Sequence, residues 1–271
     1  MQDVLIHETL SRNTSGIQIP KVFGNPRYVN GGMIGFMAEV PSPLSRQESQ
    51  QQTRQALVAA ARAVFARDGY HGANLELIAR EAGFSKGAVY SNFDGKAALF
   101  LAVMDANLEA ALADGSWDVF EQPESPEAGR YGSDEIVEAI KGFALATLEF
   151  IATAAREDAL AVELAKRMQA LTLAYEAVAE ESRAEDEELT PKEAGALLTA
   201  LDQGAALLTL SGSATVDQRV LRVGMQRLLD PSREGSPANG DPAGEPALHD
   251  EVIRRRLANG LRDEVSPSMS D

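Results

Sequence analysis

This chain of 271 residues has no cysteine, which excludes disulfides, thiolate metal sites and cysteine nucleophiles together. It also lacks any run approaching the roughly 20 apolar residues of a membrane span. Residues 1–25 show no basic start followed by an apolar stretch, so the expected location is cytoplasmic and secretion is not expected. Histidine is scarce. His7, His71 and His249 lie far apart, and no HExxH spacing joins any of them. A phosphate-binding loop ahead of Gly95-Lys96 needs glycine where Tyr90 stands. The chain is therefore not expected to be an enzyme, or to carry a metal or a cofactor.

Acid is in excess, with a formal net charge of −16, but it is unevenly placed. Residues 1–45 and 46–113 are each neutral, so the whole excess falls in 114–271. The stretch 46–96 carries seven basic and five acidic side chains. Phosphate binding needs local positive charge and not a basic average. The acidic remainder would steer nucleic acid toward the N-terminal part alone.

Residues 74–99 (NLELIAREAGFSKGAVYSNFDGKAAL) are the most informative stretch. Leu75, Ile78, Ala79 and Ala82 recur at helical spacing, Gly83 interrupts, and a second short helix opens at Ser85 with Val89 inward and Tyr90 outward. Two short helices joined by a glycine turn form a helix-turn-helix, whose second helix can enter the DNA major groove. Ala79 is small where the second helix crosses, and Gly83 supplies the positive φ of the turn. Phe84 and Val89 are expected to seal the underside.

A first helix is expected over residues 54–68, capped by Thr53 and stopped by Gly69, with Leu57, Ala61, Val64 and Phe65 buried. A longer helix runs from Lys96 to about Ala113, and a Pro- and Gly-bearing loop spans 114–132. Ser133 caps a further amphipathic helix, and residues 158–183 read as helix in two pieces. Thr190-Pro191-Lys192-Glu193 combines a capping box with proline in the first helical position, and Thr215 with Gln218 repeats the box. Four segments follow: an arm without fixed structure over 1–45, a DNA-binding domain over 46–95, a helical body over 96–230, for which the resemblance given next implies regulation and dimerisation, and a linker and tail over 231–271. Met33 and Met37 are alternative starts within the arm. The fold class is all-α.

The residues AARAVFARDG (60–69), LIAREAGFSKGAVY (77–90), Asn92-Phe93 and Gly95-Lys96-Ala97-Ala98-Leu99 resemble the TetR family of transcriptional regulators. The resemblance covers about 50 residues; beyond Ala113 only helix number, order and capping agree. Asn92 stands where the family often has histidine or tyrosine, and Asn74 where threonine is usual. The resemblance implies a three-helix DNA-binding head, a helical ligand-binding body, and a homodimer paired through the helices expected at 191–210 and 216–229.

The candidate DNA contacts are Arg54, Asn74, Ser85, Lys86, Gly87, Tyr90, Asn92 and Lys96. Lys86, Gly87 and Tyr90 form the exposed face of the second short helix. Asn74 and Ser85 are helix caps, and Asn92 is a donor and acceptor. Lys96 opens a helix, where the macrodipole disfavours a cation, so a phosphate partner is expected. For Arg54, a solvated surface charge is the equal alternative. Met104, Trp117, Phe143, Thr147, Phe150, Met168, Leu171, Tyr175 and Gln203 are candidates to line an effector cavity, although apolar stripes at this spacing serve equally as core. The carboxylates of residues 180–188 read as a solvated loop; the arginines at 254–256 read as a solvated tail, with contact to DNA or to the acidic body as the alternatives, and residues 247–262 as a weak amphipathic helix. Gly195, Ala196, Gly204, Ala205 and Gly224 allow close helix packing, either between subunits or within one.

These features point to a homodimeric repressor that binds a partly palindromic operator and is released by an unidentified small molecule acting through the helix that starts at Lys96. An activator of the same fold and a helical protein-interaction module are the alternatives.

Overall fold

The structure, a computed structural model, describes residues 45–112, 119–120, 134–185, 187–232, 247–249 and 256–257. The arm over 1–44, Trp117, the Ser133 cap and most of the linker and tail lie outside the described residues. Eight helices and no strand are found among them: α1 (Arg46–Gly72), α2 (Leu75–Glu81), α3 (Lys86–Asn92), α4 (Gly95–Leu112), α5 (Asp134–Ala154), α6 (Asp158–Ser182), α7 (Pro191–Leu210) and α8 (Gln218–Leu229). The chain is all-α, with a helix-turn-helix ahead of a helical body.

α1 begins two turns before the expected start. Ser45, not Thr53, is its cap: Ser45 Oγ accepts from Glu48 N at 3.2 Å, and Glu48 Oε2 accepts from Ser45 N at 2.7 Å. Thr53 lies inside the helix and donates its hydroxyl to Ser49 O. The polar run RQESQQQT carries no apolar residue to reveal a phase, so periodicity misses it. Gly69, at φ 73°, kinks α1, and the helical turn resumes as far as Gly72. α6 is one helix rather than two. α8 is capped by Asp217, which accepts from Val220 N at 2.8 Å, and not by Thr215. The capping box at Thr190 and Glu193 is present as expected.

Two hydrophobic cores result. The first packs α1 to α5 around Leu57, Ala61, Val64, Phe65, Leu99 and Phe100, with Leu164 of α6 at its border. Its centre is aromatic: Phe100 meets Phe65, Tyr70, Phe143 and Phe150 at ring-centroid distances of 4.7–5.2 Å. The second joins α6, α7 and α8 through Tyr175, Val178, Leu198, Leu221, Met225 and Leu229. α4 reaches both, with Phe100 in the first and Ala111 in the second. Glycines set two crossings. A Cβ on Gly142 of α5 would lie 2.0 Å from Ala66 O of α1, and one on Gly195 of α7 would lie 2.6 Å from Glu176 N of α6.

The described residues of the tail pack on the second core. Ala247 and Leu248 are buried, and Thr209 Oγ1 donates to Ala247 O. Arg256 Nη1 donates to Ala111 O at 2.8 Å, so this arginine holds the last turn of α4 and is not a solvated tail charge.

Candidate DNA interface

The helix-turn-helix is held by its own backbone. Gly83, at φ 77°, ends α2: Gly83 N donates to Arg80 O and Phe84 N donates to Ala79 O, the paired closure of a Schellman turn. Asn74 Oδ1 caps α2 by accepting from Glu76 N, and Ser85 Oγ caps α3 by accepting from Ala88 N. Val89 is fully buried and anchors α3 against Ile78 and Ala79. That anchor fixes the rotation of α3 and leaves Lys86, Gly87 and Tyr90 outward, with Tyr90 57% exposed. Phe84 does not seal the underside. It is exposed, because the turn that buries Val89 carries the Phe84 side chain away from the core.

Three candidates are engaged inside the head. The Arg54 guanidinium lies 4.2 Å from the centroid of the Phe93 ring and donates to Asn92 O at 2.8 Å, joining α1 to the end of α3. Asn92 Nδ2 turns back onto Ala88 O. The Lys96 ammonium donates to His71 O at 3.1 Å and Ala73 O at 3.2 Å, above the Tyr70 ring. Burial lowers its pKa, and the Glu149 carboxylate opposes that shift. The macrodipole cost at the start of α4 is thus offset by the carbonyls that end α1.

The Lys86 ammonium pairs with Glu76 of α2, and that hydrogen bond raises the lysine pKa while lowering the glutamate's. Glu76 is the residue that sequence reasoning missed here. Its position ten residues before Lys86 gives no local signal, because the turn between α2 and α3 makes them neighbours.

Residues 83–87 (GFSKG) also match the spacing G-x-S-x-G of a nucleophile elbow. That motif needs a strand before its serine, whereas a helix precedes this one and Ser85 Oγ serves as a cap. Among the described residues, no His, Cys, Asp and Glu cluster is suited to a metal.

The described apolar cavity candidates are divided between the two cores. Met104, Phe143, Phe150 and Met168 belong to the first core, whereas Leu171 and Tyr175 belong to the second. Thr147 donates its hydroxyl to Phe143 O, and Gln203 Nε2 donates to the Asp202 carboxylate. On α7, Leu197, Leu201 and Leu208 are exposed in one stripe, and a Cβ on Gly204 between them would meet nothing within 4 Å. Val220 of α8 is exposed as well, and a Cβ on Gly224 would also meet open space.

Residues 57–103 match the family described as bacterial regulatory proteins, tetR family. The chain is similar to the HTH-type transcriptional regulator UidR of Escherichia coli strain K12, 36% identical over 67 residues, which are 25% of this chain and 34% of that protein. It is likewise similar to the HTH-type transcriptional regulator SrpR of Pseudomonas putida, 44% identical over 54 residues, 20% of this chain and 25% of that protein. The chain thus matches about a third or less of the length of these relatives. Among solved structures, Salmonella enterica GusR superposes with a TM-score of 0.41 at 20% identity, covering 80% of this chain and 97% of GusR.

Proposed function

We propose, from the match of residues 57–103 to the tetR family of bacterial regulatory proteins, that this chain is a homodimeric repressor whose two α3 helices read a partly palindromic operator and which a small molecule releases. The observation that carries the reading is the outward face of α3, where Lys86, Gly87 and Tyr90 stand on the buried Val89 anchor. Gly87 lets backbone approach the duplex, while Lys86 and Tyr90 reach phosphates or base edges. Ser85 and Asn74 act by fixing the helices that carry these groups; Arg54 and Asn92 act by fixing the end of α3. Lys96 keeps its two carbonyl partners and approaches phosphate only at the margin of the site.

One short helix reads too few base pairs to be selective, and a two-fold dimer places two of them about 34–36 Å apart. The open face of α7 and α8 supports pairing there, because Gly195 is explained within the chain whereas Gly204 and Gly224 are not. An effector entering among the body helices acts through α4, which shares both cores and is tied to α6 by an Arg167–Asp105 ion pair of 2.8 Å. Affinity for DNA then falls by the effector's differential binding to the two states.

Gel shift of the purified chain on the DNA upstream of its own gene is the direct test. The expected result is a shifted complex that Lys86→Ala and Tyr90→Ala each weaken by about tenfold or more. Unchanged binding by both variants refutes α3 as the reading element.

A further inference from the structure

The grip on the α1–α2 junction is shared between two other helices. Gly69 turns α1 out of its helix at φ 73°, and the chain must then reach Asn74, the cap of α2. Into the space beside Gly69 comes the Glu149 carboxylate of α5: a Cβ on Gly69 would lie 2.7 Å from Glu149 Oε1. Glu149 Oε2 accepts from His71 N at 2.9 Å, and Thr153 Oγ1 lies 3.4 Å from His71 Nε2. The Lys96 ammonium, which also feels the Glu149 carboxylate, holds the carbonyls of His71 and Ala73. A peptide segment of five residues is thus held both by an anion on α5 and by a cation at the start of α4.

The register of α5 against α1 is fixed as well. Gly142 abuts Ala66 O, and Ala146, Phe150 and Ala154 continue the same buried stripe. Seven residues separate Gly142 from Glu149, about 10.5 Å along the helix, so any slide or roll of α5 displaces the carboxylate from His71 N. The junction leads directly into α2, and α2 carries α3 through the Gly83 turn.

We propose that Glu149 is a positioning residue: by accepting from His71 N it sets the α1–α2 junction, and through it the angle of α3, so the body governs the head through α5 as well as through α4. This rests on the reading of α3 as the DNA-reading helix. It gives the effector a second route of action, since displacing α5 alone loosens that hold.

The test uses the full chain and two readouts. In the first, without DNA, amide exchange over residues 70–73 is compared in wild type, Glu149→Ala, Glu149→Asp and Glu149→Gln. Protection falls about tenfold in the alanine variant, and also in the aspartate variant, whose shorter arm withdraws the acceptor and which guards against an alanine variant that does not fold. Glutamine retains an acceptor oxygen and retains protection. In the second, affinity is measured for the upstream duplex and for a random-sequence duplex. The ratio of the two falls about tenfold in the alanine and aspartate variants and is restored by glutamine. A purely structural loss lowers both affinities together and leaves the ratio intact. Wild-type protection or a wild-type ratio in the alanine or aspartate variant overturns the proposal, as does glutamine behaving like alanine. A wild-type chain that prefers neither duplex removes the regulator reading, while the exchange measurement still decides whether Glu149 holds the junction.

Discussion

Lys86 reaches its outward position already paired. Its ammonium meets the Glu76 carboxylate, so a phosphate that recruits it must compete with an anion of the same protein. Both side chains are exposed, which keeps the pair weak and exchangeable. Glu76→Gln should therefore raise operator affinity severalfold and steepen the dependence of log K on log salt by about one, the contribution of one more neutralised phosphate. Fluorescence anisotropy across a salt series checks both; an unchanged slope means that Lys86 does not meet the backbone. The outward set was legible in sequence because the phase of Val89 fixes which neighbours face away. The tasks of Arg54 and Lys96 were not, since their partners lie 38 and 25 residues away and are brought near only by packing.

At the scale of the helices, close approach decides what glycine does. Gly142 and Gly224 are both helical, and replacing either by alanine gains helix propensity, about 1 kcal/mol in an open position. Only at Gly142 does the new methyl meet backbone, 2.0 Å from Ala66 O, and a carbonyl cannot move aside as a flexible side chain does. Gly142→Ala should thus destabilise the chain by about 1–3 kcal/mol or more, as overpacking does. Gly224→Ala should leave the subunit's own fold unharmed. Thermal denaturation of the two variants separates packing from propensity, and equal melting temperatures would show that α5 does not press on α1 as described. The same contrast explains which elements the sequence reveals. Turns, caps and buried stripes of the head are local, so α2, α3 and α4 could be read directly. The start of α1 has a capping box but no apolar phase, and the unity of α6 depends on neighbours that cover an otherwise ambiguous stretch.

The tail shows what distant packing adds at the scale of the whole molecule. Ala247 and Leu248 directly follow the Pro- and Gly-rich linker and open a stretch that reads as a weak amphipathic helix; both are buried, and His249 Nδ1 lies 2.9 Å from the fully buried Asp202 carboxylate. Leu248→Ala should cost about 2–3 kcal/mol, read as a lower denaturant midpoint, because it empties a site otherwise closed to water. A midpoint equal to wild type would mean that residues 247–249 do not stay docked in solution. The open face of α7 and α8 makes the larger claim. Leu201 and Leu208 lie on it with Gly204 between them, so a carboxylate at either leucine would place charge where a second subunit is proposed to pack. Leu201→Glu and Leu208→Glu should shift sedimentation toward the monomer while leaving the first core folded, because neither side chain belongs to it. Operator affinity should fall by about a hundredfold or more, since each head then binds its half-site without the effective concentration that the partner supplies. If both variants remain dimeric, subunits pair through another surface, and the spacing of the two α3 helices must be sought there.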